Sequence, residues 1–282
     1  GFSSAVVAAD LNHDGKVDLV ATSYSDERLA VFLNRGSAAF DSARYIDLGA
    51  RAAALVSADF NRDGKPDLAT ADYTTDQVSV LLGDGAGGFA APTRLGSGSR
   101  PSALAALDLN GDASPDLVAA AEGDGTAQLF VGNGLGGFTA QHAVPIGATP
   151  RALAAGDLDG DRRAEIAVSC ADDKKIALLG FSSAAGLHPL SEVTLSSRPL
   201  GLALADLSGD SKLDLAVTYV DGLAIELFLG DGRGAFRSTA KVDVGLSPAA
   251  VVSQDFDGDQ RPDLAVANLR GGSLSVLLNR SR

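Results

Sequence analysis

The sequence predicts an all-β chain, a six-bladed β-propeller of four-stranded antiparallel blades built on a 49-residue repeat. Three observations carry this reading. A nine-residue acidic stretch begins at Asp10, Asp59, Asp108, Asp157, Asp206 and Asp255, always 49 residues apart. Short apolar runs rich in Val, Leu and Ala are broken by Gly, Asp and Pro, and no stretch keeps a helical period. Hydrophobic residues make up 45% of the chain but aromatics only 5%, which suits thin layers of small side chains.

The second repeat shows the elements in order. A first strand over ALVSA (54–58) runs into the acidic loop DFNRDGKPD (59–67), and a second strand begins at once in DLATA (67–71). The polar stretch DYTTDQ turns the chain into a third strand, VSVLLG (78–83). The glycine-rich DGAGGF then leads to a fourth, TRLG (93–96). Gly83, Gly85 and Gly88 fit the spacing of a dinucleotide-binding loop, as do Gly132, Gly134 and Gly137, but that motif requires a following helix inside a parallel βαβ unit. A short strand follows instead, so these are expected to be hairpin glycines.

Six full repeats need 12 more residues than the 282 present, and the shortfall corresponds to GAFRSTAKVDVG (234–245). The expectation is one domain over 1–282 whose last repeat lacks its outermost strand. The alternative is part of a seven-bladed ring from a longer parent protein.

Each acidic loop places oxygen-bearing side chains at its first, third, fifth and ninth positions. Four such groups repel one another unless something joins them. A hard cation does so, because Ca²⁺ takes six to eight oxygen ligands from short, tightly turned loops. The competing reading is a polar hairpin, since Asp, Asn and Gly also dominate turns for conformational reasons. Twenty of the 36 acidic residues lie in the six loops, and the net charge of −13 argues against nucleic acid or an anionic membrane as partner. No apolar run approaches the length that spans a bilayer. Cys170, the single cysteine, sits in EIAVSCA and is expected to be a buried strand-end thiol.

The acidic loop, the later GGF or GAF (87–89, 136–138, 234–236) and the R-P or S-P step before the first strand (Arg100-Pro101, Arg198-Pro199, Ser247-Pro248) together resemble the FG-GAP or VCBS repeats of integrin α-subunit propellers and secreted bacterial proteins. The resemblance covers essentially the whole chain. It implies up to six Ca²⁺ ions in the hairpins joining the first and second strands, held by four side chains and a backbone carbonyl per loop. Carried onto this sequence, the side chains are Asp10, Asn12, Asp14 and Asp18 with the carbonyl of Lys16, then Asp59, Asn61, Asp63 and Asp67 with that of Lys65. The third and fourth sets are Asp108, Asn110, Asp112 and Asp116 with Ser114, and Asp157, Asp159, Asp161 and Glu165 with Arg163. The last two are Asp206, Ser208, Asp210 and Asp214 with Lys212, and Asp255, Asp257, Asp259 and Asp263 with Arg261. Only the first two loops keep glycine at the sixth position, so Ala113, Arg162, Ser211 and Gln260 are expected to weaken the later sites. Ser208, a poorer ligand than Asp or Asn, marks the fifth as weakest.

His13, His142 and His188 fall at unrelated places in their repeats and form no triad with Cys170, so the expectation is a non-catalytic chain. The resemblance implies a secreted, cell-surface or periplasmic recognition or adhesion module for protein or polysaccharide, either a monomer or a domain of a larger chain. The alternative is an architectural domain of a larger secreted enzyme or surface protein. Candidate ligand contacts on the upper face are Arg51, Arg100, Arg198, Tyr24 and Tyr73. Arginines meet carboxylates, and tyrosines stack on sugar rings. The competing role for these arginines is to bridge neighbouring blades.

Overall fold

The computed structural model describes residues 5–23, 25–37 and 39–281. The described residues contain strands, turns and bends but no helix, and the strands form six sheets in the blade order of a six-bladed β-propeller, together with a two-stranded ribbon of Asn34–Gly36 and Ala39–Phe40. Packing divides the chain into two compact units, Gly1–Pro145 and Ile146–Arg282, each holding three of the blade sheets.

In the first unit, the first sheet is built from Val6–Ala9, Asp18–Ser23, Arg28–Phe32 and Arg44–Asp47. The second is built from Ala52–Ala58, Asp67–Asp72, Gln77–Leu81 and Thr93–Gly96. Both run antiparallel in chain order. The third sheet follows the same path through Pro101–Leu107, Asp116–Ala121 and Thr126–Gly132, but its outer strand is split into Phe138–Ala140 and Val144–Pro145, both paired with the third strand. Across the split, Gln128 donates its side-chain amide to the carbonyl of Gln141 at 3.0 Å.

The second unit holds a fourth sheet (Pro150–Gly156, Glu165–Cys170, Lys175–Ser182, Gly186–Thr194) and a fifth (Pro199–Ala205, Asp214–Tyr219, Ala224–Gly230, Phe236–Asp243). The sixth sheet has three strands, Pro248–Gln254, Asp263–Asn268 and Ser273–Leu277.

The second strand of each of the second to fifth sheets is buried at all six positions. A strand buried on both faces favours small or branched apolar side chains, which fill most positions of DLATAD, DLVAAA, EIAVSC and DLAVTY, while the buried polar ones such as Asp67, Thr70 and Asp72 are hydrogen-bonded. The core therefore lies between neighbouring sheets. Leu29 and Val31 of the first sheet cluster with Leu55 and Leu68 of the second, and Val78 and Val80 of the second with Leu104 and Leu117 of the third. In the second unit, Ile176 and Leu178 cluster with Leu202 and Leu215, and Ile225 with Val251 and Leu264. Cys170 is fully buried, and burial pushes its thiol up to about 11, well away from reactivity at neutral pH.

The glycine-rich segments are hairpins. Gly85, Gly87, Gly134 and Gly136 all have positive φ, and Asp84 and Asn133 close the turns by donating their backbone N–H to the carbonyls of Gly88 and Gly137 at 3.0 Å. Their glycines also reach the sheet before. The N–H of Gly87 donates to the carbonyl of Leu11, that of Gly136 to Phe60 and that of Gly234 to Leu158, at 3.0 to 3.1 Å. Each acceptor is the second residue of the preceding sheet's acidic loop, so the two hairpin types join sheet to sheet.

Candidate metal-binding hairpins

Each acidic loop connects the first and second strands of its sheet, as expected, and each folds around its own carboxylates. In the second loop the Asp59 carboxylate accepts the N–H groups of Asp63 and Gly64 at 3.1 and 2.8 Å. Asn61 Oδ1 accepts Asp63 N–H at 3.1 Å, and Asp63 accepts Lys65 N–H at 3.0 Å. The first loop repeats these bonds at 2.9 to 3.1 Å with Asp10, Asn12 and Asp14 as acceptors. In the third to sixth loops the first Asp also accepts the N–H of the fourth residue, Gly111, Gly160, Gly209 or Gly258, at 2.7 to 2.8 Å.

The turn itself differs from the expectation. A single sharp turn at the sixth position was expected to penalise every loop lacking glycine there. Instead, the fourth and sixth positions are both left-handed in all six loops. His13, Arg62, Gly111, Gly160, Gly209 and Gly258 have φ of 56 to 84°, and Gly15, Gly64, Ala113, Arg162, Ser211 and Gln260 have φ of 66 to 83°. Each loop spends one glycine on the two positions. The absence of glycine at the sixth position therefore does not separate the later loops from the first two.

The ninth residue is the buried end of the site. Asp18, Asp67, Asp116, Asp214 and Asp263 are at most 1% exposed and Glu165 is 5% exposed. Asp67 accepts the N–H of Phe60 at 2.8 Å on one oxygen and that of Gly83, at the end of the third strand, at 2.7 Å on the other. Asp18, Asp116, Asp214 and Asp263 likewise join the loop to Asn34, Gly132, Gly230 and Asn279, at 2.7 to 3.0 Å for the third-strand bond. Burial pushes the Asp67 and Asp116 carboxyls above their usual range against the pull of these N–H groups. At Asp263 the N–H groups of Asn279 and Phe256 dominate and lower it.

Glu165 is the exception. Its longer side chain accepts Leu158 N–H at 2.7 Å, and its carboxylate joins those of Asp157 and Asp159, with one oxygen from each within 4.8 Å of the others. Its pKa is raised, first by burial and then by the charges of Asp159, Asp161 and Asp157. Asp255, Asp257 and Asp259 converge in the same way in the sixth loop. Three carboxylate oxygens this close suit a divalent cation of oxygen preference. In the fifth loop, ranked weakest for its serine, Ser208 Oγ is buried at the ligand position beside the Asp210 carboxylate, which it helps Lys212 hold in its charged form. The donor sets thus fit Ca²⁺. Lysines partly offset the fifth-position carboxylate in three loops, with Lys16, Lys65 and Lys212 lying 2.9, 3.3 and 3.1 Å from Asp14, Asp63 and Asp210.

The expected upper-face contacts are engaged with the protein itself. In the first unit, Arg51 lies 3.9 Å from Glu27 in the preceding sheet's turn. The Arg100 guanidinium sits 5.9 Å from the centre of the Tyr73 ring and 3.9 Å from Glu122. In the second unit Arg198 donates to Asp172 at 2.5 Å. Tyr24 lies outside the described residues. The last position of the second strand, which carries no repeat signature, holds two clusters that the sequence reading passed over. Asp72 accepts the Thr70 and Ser79 hydroxyls at 2.7 and 2.5 Å. Tyr219 donates to Glu226 at 2.5 Å, and Ser238 donates to the same carboxylate at 2.6 Å. The signal was available, since Asp72, Cys170, Tyr219 and Asn268 vary at one repeat position.

Antiparallel blades in series, each with an acidic hairpin between its two inner strands, define a repeat-built β-propeller. The chain belongs to the FG-GAP-like repeat family, whose model matches residues 10–70, 59–119, 108–168 and 206–266. No curated protein matches it in sequence. Solved structures share its fold at low identity. The BBS1N chain in complex with ARL6DN has a TM-score of 0.71 at 17% identity, over 100% of this chain and 80% of that one. A protein from Lactobacillus plantarum has a TM-score of 0.67 at 15%, over 99% and 84%. The periplasmic gluconolactonase PpgL of Pseudomonas aeruginosa has 0.65 at 17%, over 95% and 72%.

This last likeness corrects the expectation of a non-catalytic chain. The same fold serves a lactonase, so the absence of a recognisable triad in the sequence does not exclude catalysis.

Proposed function

We propose that this protein is a calcium-stabilised β-propeller that acts as an extracellular recognition module for protein or polysaccharide. The observation that carries the reading is the convergence of Asp157, Asp159 and Glu165, in a loop whose backbone N–H groups already hold the acidic side chains together. When bound, Ca²⁺ would neutralise the clustered carboxylates. The residues that would hold it are the first, third, fifth and ninth side chains of each loop, and Ser208 Oγ in the fifth. Loops of this kind in extracellular modules bind with Kd of about 10⁻⁴ to 10⁻³ M. They fill only where calcium is millimolar, which supports a location outside the cell, on its surface or in a periplasm. The BBS1N fold in complex with ARL6DN is compatible with a protein partner.

Thermal unfolding in EGTA against 5–10 mM CaCl₂, roughly tenfold over a weak Kd, tests the metal. Binding at that excess stabilises by about 1.4 kcal/mol per site, so Tm should rise with Ca²⁺, less with Mg²⁺, and less in Asp157→Asn. An unchanged midpoint leaves six polar hairpins and no calcium site. Glycan and protein arrays test recognition. The pairing of Arg198 with Asp172 and of Arg51 with Glu27 favours the second reading, an architectural domain. Array binding lost on Arg51, Arg100 and Arg198 substitution would decide for recognition.

A further inference from the structure

One repeat position, just after the third strand, holds Gly36, Gly85, Gly134, Ser183, Gly232 and Ser281 in the six sheets. The residue type there follows the charge pairing of the acidic loop in the same sheet. The stem of Lys65 crosses Gly85 so closely that a β-carbon on that glycine would stand 2.8 Å from Lys65 Cδ, and Lys212 crosses Gly232 at 2.9 Å. Lys16 passes Gly36 at 3.5 Å. In these three loops the lysine meets both oxygens of the fifth-position carboxylate. Its backbone N–H donates to one oxygen of Asp14, Asp63 or Asp210 at 3.0 to 3.1 Å. Its ammonium lies 2.9, 3.3 and 3.1 Å from the other. Gly134 lies under Arg62 of the second loop, which donates to the carbonyl of Asp112 at 2.6 Å. The two serines go with a different arrangement. Arg163 holds the lysine position of the fourth loop and donates its N–H to Asp161 at 2.8 Å, but among the described residues no ion pair joins the two side chains. In the sixth loop Arg261 donates to the Ser281 carbonyl at 2.5 Å and stands 3.9 Å from Asp259. Among the described residues, three carboxylates converge in these two loops.

We propose that Lys16, Lys65 and Lys212 are built-in counter-ions: each steadies its loop's carboxylates when no metal is bound, and calcium must displace it from the fifth-position carboxylate in order to bind. On the calcium reading proposed above, this sets an order of filling. The affinity of such loops is tuned by the charge of their ligands, and an ammonium resting on one carboxylate cancels part of that charge. The fourth loop brings four acidic side chains, Asp157, Asp159, Asp161 and Glu165, with no ammonium seated on Asp161. It takes calcium first. The first, second and fifth loops fill last and hold their shape when empty. Glycine at the crossing makes the device possible, because a side chain at position 85 or 232 would meet the lysine stem.

Each acidic loop carries one glycine, so the amide resonances of these glycines follow the loops separately in a CaCl₂ titration. Gly160 should reach its midpoint at lower calcium than Gly15, Gly64 and Gly209. Lys65→Met keeps the stem without the charge and should lower the Gly64 midpoint by up to about fivefold, the worth of one exposed ion pair, leaving Gly160 in place. Arg163→Met removes the same charge from the same repeat position without breaking a pair, and should move Gly160 by less. Arg163→Lys with Ser183→Gly installs the pair in the fourth loop and should raise its midpoint. With Lys16, Lys65 and Lys212 all changed to Met, Tm should fall in EGTA and hold in about 10 mM CaCl₂. Equal shifts from Lys65→Met and Arg163→Met would make charge alone the cause, and a Tm lowered in both media would make the lysines packing groups. Either result overturns the proposal. Midpoints that the lysine substitutions leave unmoved would overturn it too while the calcium sites stand, whereas glycine amides silent to calcium would remove both.

Discussion

A residue held at positive φ costs about 1 kcal/mol more as a non-glycine. The acidic loops meet that cost at two positions with one glycine each, at the sixth position in the first two loops and at the fourth in the others. Gly64→Ala should therefore lower stability by about 1 kcal/mol in chemical denaturation, and Ala113→Gly should raise it by up to a similar amount. Equal effects of opposite sign on the two loops are the expected outcome. Asp72 poses a different problem, since its carboxylate is fully buried and burial pushes its pKa up, against bonds from Ser79 and Thr70 that pull it down. A raised folded pKa favours the protonated form on folding. The stability from that proton is present below the ordinary value of 3.8 and lost as pH rises through the folded pKa. Asp72→Asn keeps the shape without the charge, so it should raise Tm at pH 7, with the advantage vanishing as pH falls below about 4. An advantage that persists at pH 3 would mean the charge is not the cause.

At the scale of the element, the ninth-position carboxylate ties three strands. Asp67 begins the second strand, closes the loop that leaves the first and holds the end of the third through Gly83. Each buried N–H left without a partner costs about 1–3 kcal/mol, so Asp67→Ala should cost roughly 2–6 kcal/mol even in EGTA. Asp63→Ala under the same conditions should cost under about 1 kcal/mol, because the side chain is near the surface. Urea titrations of the two variants check the contrast. The hairpins and their acidic side chains were legible in the sequence because a fixed spacing of Asp and Asn has a signature. The tie to Asn34, Gly83, Gly132, Gly230 and Asn279 was not, because a backbone N–H belongs to every residue but proline. The convergence of Glu165 was equally hidden, since it turns on one methylene in a position read as Asp or Glu.

For the whole molecule, the 49-residue beat was enough to read the blades, their strand order and the family, because each blade solves the same packing problem. What it could not carry was activity, which one fold shares among lactonases and partner-binding proteins alike. Nor could it show that Arg51 and Arg198 are occupied by Glu27 and Asp172, since ion pairs across sheets have no fixed spacing.

The three-strand tie at the five ninth-position aspartates has a mechanical consequence. Pulled from its ends, a repeat cannot surrender its third strand gradually, because the bond to Gly83 or Asn34 must break together with the loop that carries it. Each of these five blades should therefore resist as a latch and then release at once, while the fourth, held by Glu165 only to its own loop among the described residues, should yield more gradually. Forty-nine residues at about 3.6 Å each give roughly 18 nm of slack per event. An optical-trap record of evenly spaced steps near that length is the expected trace, and one smooth ramp would mean that the carboxylates do not hold the strands under load.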